Sequence, residues 1–143
     1  VGAFTFVHCS DTTVRAYETG AGDAAIHYID YAANSFANLE ATGQTDSPSY
    51  QDFQRAFPLL EKIARREMGI EELDQNDMII IGDPEHCIRK IEAYDRAGFQ
   101  RILCLKQAGF MAHEHIMNSM ELFGKYVIPH FKTKDAVQPT AKT

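Results

Sequence analysis

Few residues in this sequence have the types and spacing that chemistry needs. His8 and Cys9 stand together at the end of an apolar segment. Neighbours on a strand point to opposite faces, so the two do not form a nucleophile and base pair, and packing is the reading they favour. His113 and His115 flank Glu114. Residues two apart do not share a helix face and the His-Glu-x-x-His zinc arrangement is absent, so no metal site is expected. Glu114 suits the positive end of a helix dipole, which makes capping the simpler role. His86 stands in the helix after Gly82, where an exposed histidine needs no specific task. No Gly-x-Ser-x-Gly elbow, Walker loop or Gly-x-Gly-x-x-Gly fingerprint occurs, and no catalytic residue is assigned. Gly82 and Gly109 remain, where a missing Cβ permits close approach of a ligand or simply a tight turn.

The elements that must position these residues are clearest from Met78 onward. Met78-Ile79-Ile80-Ile81 is a continuous, β-branched apolar run, the pattern of a strand buried on both faces in a parallel sheet. Gly82 stops it. Asp83 is an N-cap, Pro84 fits the first helical position and Glu85 favours the first turn. Ile88, Ile91 and Tyr94 then form one apolar stripe, and Gly98 ends the helix as a C-cap glycine. Ile102-Leu103-Cys104-Leu105 gives the next buried strand. One helix of crossover between two apolar runs predicts that 78–81 and 102–105 lie side by side as parallel strands, with Gly82 and Gln107 to Gly109 on a common C-terminal edge. Open α/β sheets and (β/α)8 barrels place their ligands on that edge. A further helix from about His113 carries Ile116, Met120, Phe123 and Val127, and Pro129 is expected to close it.

Upstream, Gly2 to Cys9 reads as a strand. Ala16, Tyr17, Ala24, Tyr28, Tyr31 and Ala32 mark a helix from Thr12 to Phe36 with an aromatic stripe and a break near Gly20. Residues 38–50 have loop composition, Gln51 to Met68 reads helical with Pro58 unsettling its first turns, and Gly69 to Asp77 reads as a polar connection into the next strand. Residues 132–143 lack periodicity and are expected to be disordered.

The series Gly82-Asp83-Pro84-Glu85-His86-Cys87-Ile88, Ala97-Gly98, Gln107-Ala108-Gly109, His113-Glu114 and Ser119-Met120-Glu121-Leu122-Phe123-Gly124-Lys125-Tyr126-Val127-Ile128-Pro129-His130-Phe131 resembles the C-terminal end of luciferase-like flavin-dependent monooxygenases. The strand ending Val7-His8-Cys9, followed by Asp11-Thr12, is similar to the segment before the last two barrel units of that family. The resemblance implies an α/β fold in which residues 1–131 are the C-terminal three βα units of an incomplete (β/α)8 barrel. It implies reduced FMN, or the deazaflavin F420, as cofactor, and O2 and a small organic substrate as reactants. A flavin reductase, and either a homo-oligomer or the rest of the barrel, follow as partners. Gly82, Gln107 and Gly109 match positions at the mouth of the cofactor pocket. A complete barrel takes eight strands and typically ~250 residues, so the chain by itself is expected to be inactive. The start at Val1, without methionine, agrees with a fragment or a processed chain.

Composition sets the outer bounds. A chain of 143 residues, 45% hydrophobic, has material for one domain. A formal charge of -6 gives no electrostatic reason to expect nucleic acid or an anionic membrane surface. No apolar run has the length of a membrane span, and the cytoplasm is the default location. Three cysteines without a Cys-x-x-Cys pair read as reduced thiols. The competing expectation is a small noncatalytic α/β module whose Phe4, Tyr28 and Met120 faces pair with another chain. A third is a doubly wound binding domain with its ligand at the Gly82 edge, a reading weakened by the missing phosphate loop.

Overall fold

The computed structural model describes residues 2–41 and 48–137. Strand β1 (Gly2–Cys9) is followed by helices α1 (Thr13–Glu18), α2 (Ala21–Ala41), α3 (Pro48–Ala64) and α4 (Ile70–Gln75). Then come β2 (Ile79–Gly82), α5 (Pro84–Arg96), β3 (Arg101–Leu105) and α6 (His113–Leu122). A π-helical turn (Phe123–Val127) leads into α7 (Ile128–Val137). All strand pairs are parallel, and the order across the sheet is β2-β1-β3. Cys9 pairs with Gly82, and Phe6 pairs with both Ile79 and Leu105.

The local signals for α5 act as their chemistry requires. Asp83 has an extended backbone and its carboxylate accepts the His86 N–H at 2.8 Å, with Pro84 in the first turn. Gly98, at φ 89°, closes the helix in a conformation that side-chain-bearing residues avoid. Gly20, at φ 79°, separates α1 from α2, the break that its position predicts.

Alternate strand residues feed two different cores. Phe6, Ile79 and Ile81 pack with Ala16, Ala24, Ala25, Ile26, Ile63 and Leu73 of α1 to α4. Val7, Cys9 and Ile80 pack with Cys87, Phe123 and Val127 beyond the other face. Helices thus cover both faces. The two crossovers run in opposite directions along the sheet, from β1 outward to β2 and from β2 back across β1 to β3. Right-handed connections that reverse direction must lie on opposite faces, and they do.

This order corrects the expectation that β2 and β3 are neighbours: β1 lies between them. The outer edge of β2 is already taken. Its Ile81 N–H donates to Asp74 Oδ1 at 3.0 Å, so the α4 segment caps that edge at Ile81, while β3 pairs with the other side of β1. No closed barrel is formed, and the described strands make one small parallel sheet between helices.

Three further boundaries differ from expectation. Helix α2 continues to Ala41 and α3 begins at Pro48, so 38–41 and 48–50 are helical where a loop is expected, and 42–47 lie outside the described residues. Pro129 does not end the last helix. The π-helical turn resets the backbone ladder just before it, so the proline falls in the first turn of α7, where its missing N–H breaks no regular bond. Consequently residues 132–137 are helical rather than disordered, and 138–143 lie outside the described residues. Pro58 is accommodated inside α3.

Candidate functional site at the strand C-terminal edge

The C-terminal ends of the three strands gather His8, Cys9, Gly82 and Lys106 with the loops that follow them. Short polar links hold this edge together. Ser10 N–H donates to the Gly82 carbonyl at 3.0 Å, which extends the β1–β2 ladder by one bond. Thr13 and Asp83 exchange two bonds: the Thr13 hydroxyl donates to Asp83 Oδ2 at 2.9 Å and accepts the Asp83 N–H at 3.2 Å. Ser119 Oγ of α6 accepts the buried Cys9 N–H at 2.9 Å. For the Asp83 carboxyl, burial acts to raise the pKa, but the bonds from His86 N–H and Thr13 and the nearby Arg89 and His86 charges hold it below its usual range.

Gly82 is not open to a ligand in the way its position suggests. A Cβ there would meet the His86 ring at 2.6 Å, so the close approach that glycine permits is made by the chain's own imidazole. His86 in turn is not an idle helix histidine. Its Nε2 lies 2.9 and 3.0 Å from the two carboxylate oxygens of buried Asp74. Lys90 Nζ lies 3.7 Å from the same carboxylate, bonds the Asp74 carbonyl and pairs with Asp77 at 2.8 Å. Asp74 falls in a stretch that reads as a polar connection, and nothing in its neighbours announces that its carboxylate is buried.

Gly109 has φ 59°, and a Cβ there would lie 3.4 Å from Ala24 Cα, so the loop after β3 rests on α2. It lines a cleft of about 420 Å3 with Thr19, Gly20, Asp23, His27 and Arg66. A second cleft, about 570 Å3, opens beyond the other face of the sheet and is walled by Asp11, Asp83, Glu85, Ile88, Leu122 and Tyr126. Asp83, and not Gly82, lines this second cleft; exposed Gln107 lines neither. The three sequence-predicted pocket residues therefore share an edge without converging on one cleft. His113 and Glu114 open α6, as expected, with Glu114 in its first turn. Among the described residues no group of three or more His, Cys, Asp or Glu side chains could hold a metal ion.

No protein-family model matches this chain, and no curated protein matches it. Among the described residues, no helix is long and apolar enough to cross a membrane.

Two buried polar groups stand on this edge: His8, which the sequence reads as packing, and Lys106, which it does not single out. His8 is fully buried, and its Nε2 lies 3.0 Å from Thr19 Oγ1, whose own proton goes to the Ala16 carbonyl. The imidazole therefore donates from Nε2, and its Nδ1 is left without a partner. Desolvation, with Lys106 and His115 nearby, lowers its pKa from 6.5 to about 4, so it is neutral at physiological pH. Lys106 Nζ is buried without a hydrogen-bond partner, 3.7 Å above the Phe123 ring. Desolvation lowers its pKa, while Cys104, Cys87 and Cys9 act the other way. Its signal in the sequence is modest but real: it is the one charge directly following the apolar run Ile102 to Leu105. As expected, Cys9 and His8 point to opposite faces, Cys9 into the core with Val7 and Ile80 and His8 toward Thr19 between α1 and α2.

Proposed function

We propose that this chain is the C-terminal part of a luciferase-like, flavin-dependent monooxygenase, inactive by itself, whose whole form uses reduced FMN, or F420, and O2 to oxygenate a small organic substrate in the cytoplasm. The observation that carries this reading is the ordered series from Gly82 to Phe131, set on parallel strands whose C-terminal ends share one edge. Of the two clefts there, the one at Gly109 suits the anionic end of a flavin. It offers Arg66, His27 and the N-terminal turn of α2, although Asp23 pairs with Arg66 at 2.7 Å. Asp11, Asp83 and Glu85 make the other cleft acidic and unsuited to a phosphate. When bound, the flavin supplies the oxygen chemistry, and the chain's part is to orient it and exclude water. A barrel arrangement requires β3 to leave β1 for the outer edge of β2 and so to displace Asp74 from Ile81.

A second reading is favoured by the strand order and by helices on both faces. These are the features of a doubly wound domain, which binds its ligand in the crevice where strand order reverses, here between β1 and β3. Titration of FMN and F420, followed by flavin fluorescence, separates the two. The monooxygenase reading expects no saturation by the chain alone at low micromolar ligand. It expects binding, and O2 consumption with a flavin reductase, by a protein that also carries the earlier barrel strands. Failure of that longer protein to bind either flavin overturns the reading. Saturable binding by the chain alone selects the doubly wound domain.

A further inference from the structure

Helix α6, the π-helical turn and α7 follow one another without a gap from His113 to Val137. Ile116, Ser119, Phe123 and Val127 are buried and turn the inner side of this rod to the sheet. Beside them runs an apolar row that the chain leaves uncovered: Met117 is 41% exposed, Met120 47% and Ile128 42%, with exposed Gly124 between them. Met120, which spacing alone assigns to the packed stripe, thus belongs to the outer row. Glycine weakens a helix interior relative to alanine, and here the chain itself gives no reason for it. The Gly124 φ is not positive, and a Cβ at this position would meet nothing within 4 Å. Such a glycine suits the close approach of another helix.

Four exposed charges flank the row: Glu114, Glu121, Lys125 and Lys132. Their separations of seven, four and seven residues keep them on one side of the helix. None of the four forms an ion pair among the described residues, although Glu121 and Lys125 stand four apart, whereas Arg15 pairs with Glu18 on α1 and Arg89 with Glu85 on α5. Lys125 lies over the Tyr126 ring, 5.1 Å from its centre.

We propose that this face is the interface of a homodimer, in which the helix from His113 to Val137 packs antiparallel on its counterpart about a two-fold axis at Gly124. Residues equally far from 124 on either side then stand level with each other, and the charged flanks of both copies lie on the same side. Met120 meets Ile128 of the second copy. Met117 of the second copy comes level with Phe131, beside a groove of about 280 Å3 that Phe123, Ile128 and Phe131 help to line. Glu121 stands two residues from the level of the second copy's Lys125, about 3 Å along the axis at 1.5 Å per residue. Glu114 and the second copy's Lys132 have the same offset. Each pair occurs twice by symmetry. This complementarity is needed, because two chains of formal charge -6 repel each other unless opposite charges meet where they touch. A second copy fits the face because the row, the glycine and both charge signs match themselves in reverse order. The inference does not depend on flavin binding.

Light scattering of the chain over a dilution series reads the mass directly, and twice the mass of one chain is expected at micromolar concentration. Gly124→Leu has open space within its own subunit, so it is expected to keep the parent's circular dichroism and to run as a monomer. Glu121→Lys turns two attractions into two repulsions and is expected to weaken the dimer about tenfold, and Lys125→Glu does the same. The two changes together restore opposite signs across the axis and are expected to recover most of the affinity, which damage to the fold does not allow. A monomer across the series, a dimer that Gly124→Leu leaves intact, or a double variant no tighter than the single ones overturns the proposal.

Discussion

Replacing Asp74 by alanine is expected to destabilise the fold by about 3–4 kcal/mol, a large share of the roughly 5–15 kcal/mol that holds a domain of this size. The side chain is 6% exposed and serves three partners: Ile81 N–H at 3.0 Å, His86 Nε2 at 2.9 Å and Lys90 Nζ at 3.7 Å. Removing one member of a buried charged pair costs about 3–5 kcal/mol because the other charge loses its compensation. Here Lys90 keeps Asp77 at 2.8 Å, which places the loss near the lower end. The orphaned Ile81 N–H adds a share of its own, up to about 1–3 kcal/mol, though terms that pass through one carboxylate do not simply sum. Asp74→Asn keeps an acceptor for Ile81 while removing the charge, so it is expected to cost about half as much. Urea unfolding of the three proteins, with m-values compared, measures both differences. An alanine variant within about 1 kcal/mol of the parent, or an asparagine variant as damaging as alanine, refutes this account of the edge. The same variants also probe edge protection. With Ile81 uncovered, β2 offers an unpaired edge, and sedimentation of Asp74→Ala is expected to become concentration-dependent.

His8 gives a pH dependence of defined sign. Its pKa falls from 6.5 unfolded to about 4 in the fold, so between these values the unfolded chain takes up a proton that the native chain refuses. Its contribution is complete above about pH 6.5 and is lost as pH falls toward about 4, amounting to about 3 kcal/mol. The pH-dependent difference in unfolding free energy between the parent and His8→Gln should show this slope; a constant difference across that window sinks the assignment. Gly82→Ala sets a Cβ 2.6 to 2.7 Å from the His86 ring. It is expected to lose about 1–3 kcal/mol and to loosen the His86 contact with Asp74, visible in the imidazole NMR shifts. An unperturbed, equally stable alanine variant would return Gly82 to the role of an open ligand edge.

The strands and the ends of α1 and α5 were legible in the sequence because short-range chemistry specifies them, whereas α4 reads as a connection. Three consecutive isoleucines, the Asp83-Pro84 start of α5, the Gly98 stop and the Gly20 break each act through neighbours a few residues away. The parallel direction of the strands followed from the crossover length, and the opposite faces of His8 and Cys9 followed from strand periodicity. Local pattern did not reach strand order. β3 lies beside β1 and not beside β2, whose Ile81 N–H on the outer edge is capped by Asp74 from a helix that reads as a connection. The same limit hid the site. Burial of Lys106 over Phe123, the Asp74 carboxylate against the His86 ring and the packing of Cys9 with Cys87 in one core join residues 17, 12 and 78 positions apart. The last of these contacts, and the exclusion of water around all of them, depend on how helices close over both faces of the sheet. Secondary structure is set by the chain's own neighbours; pairing, desolvation and the chemistry that follows from them are set by what the fold brings against each side chain.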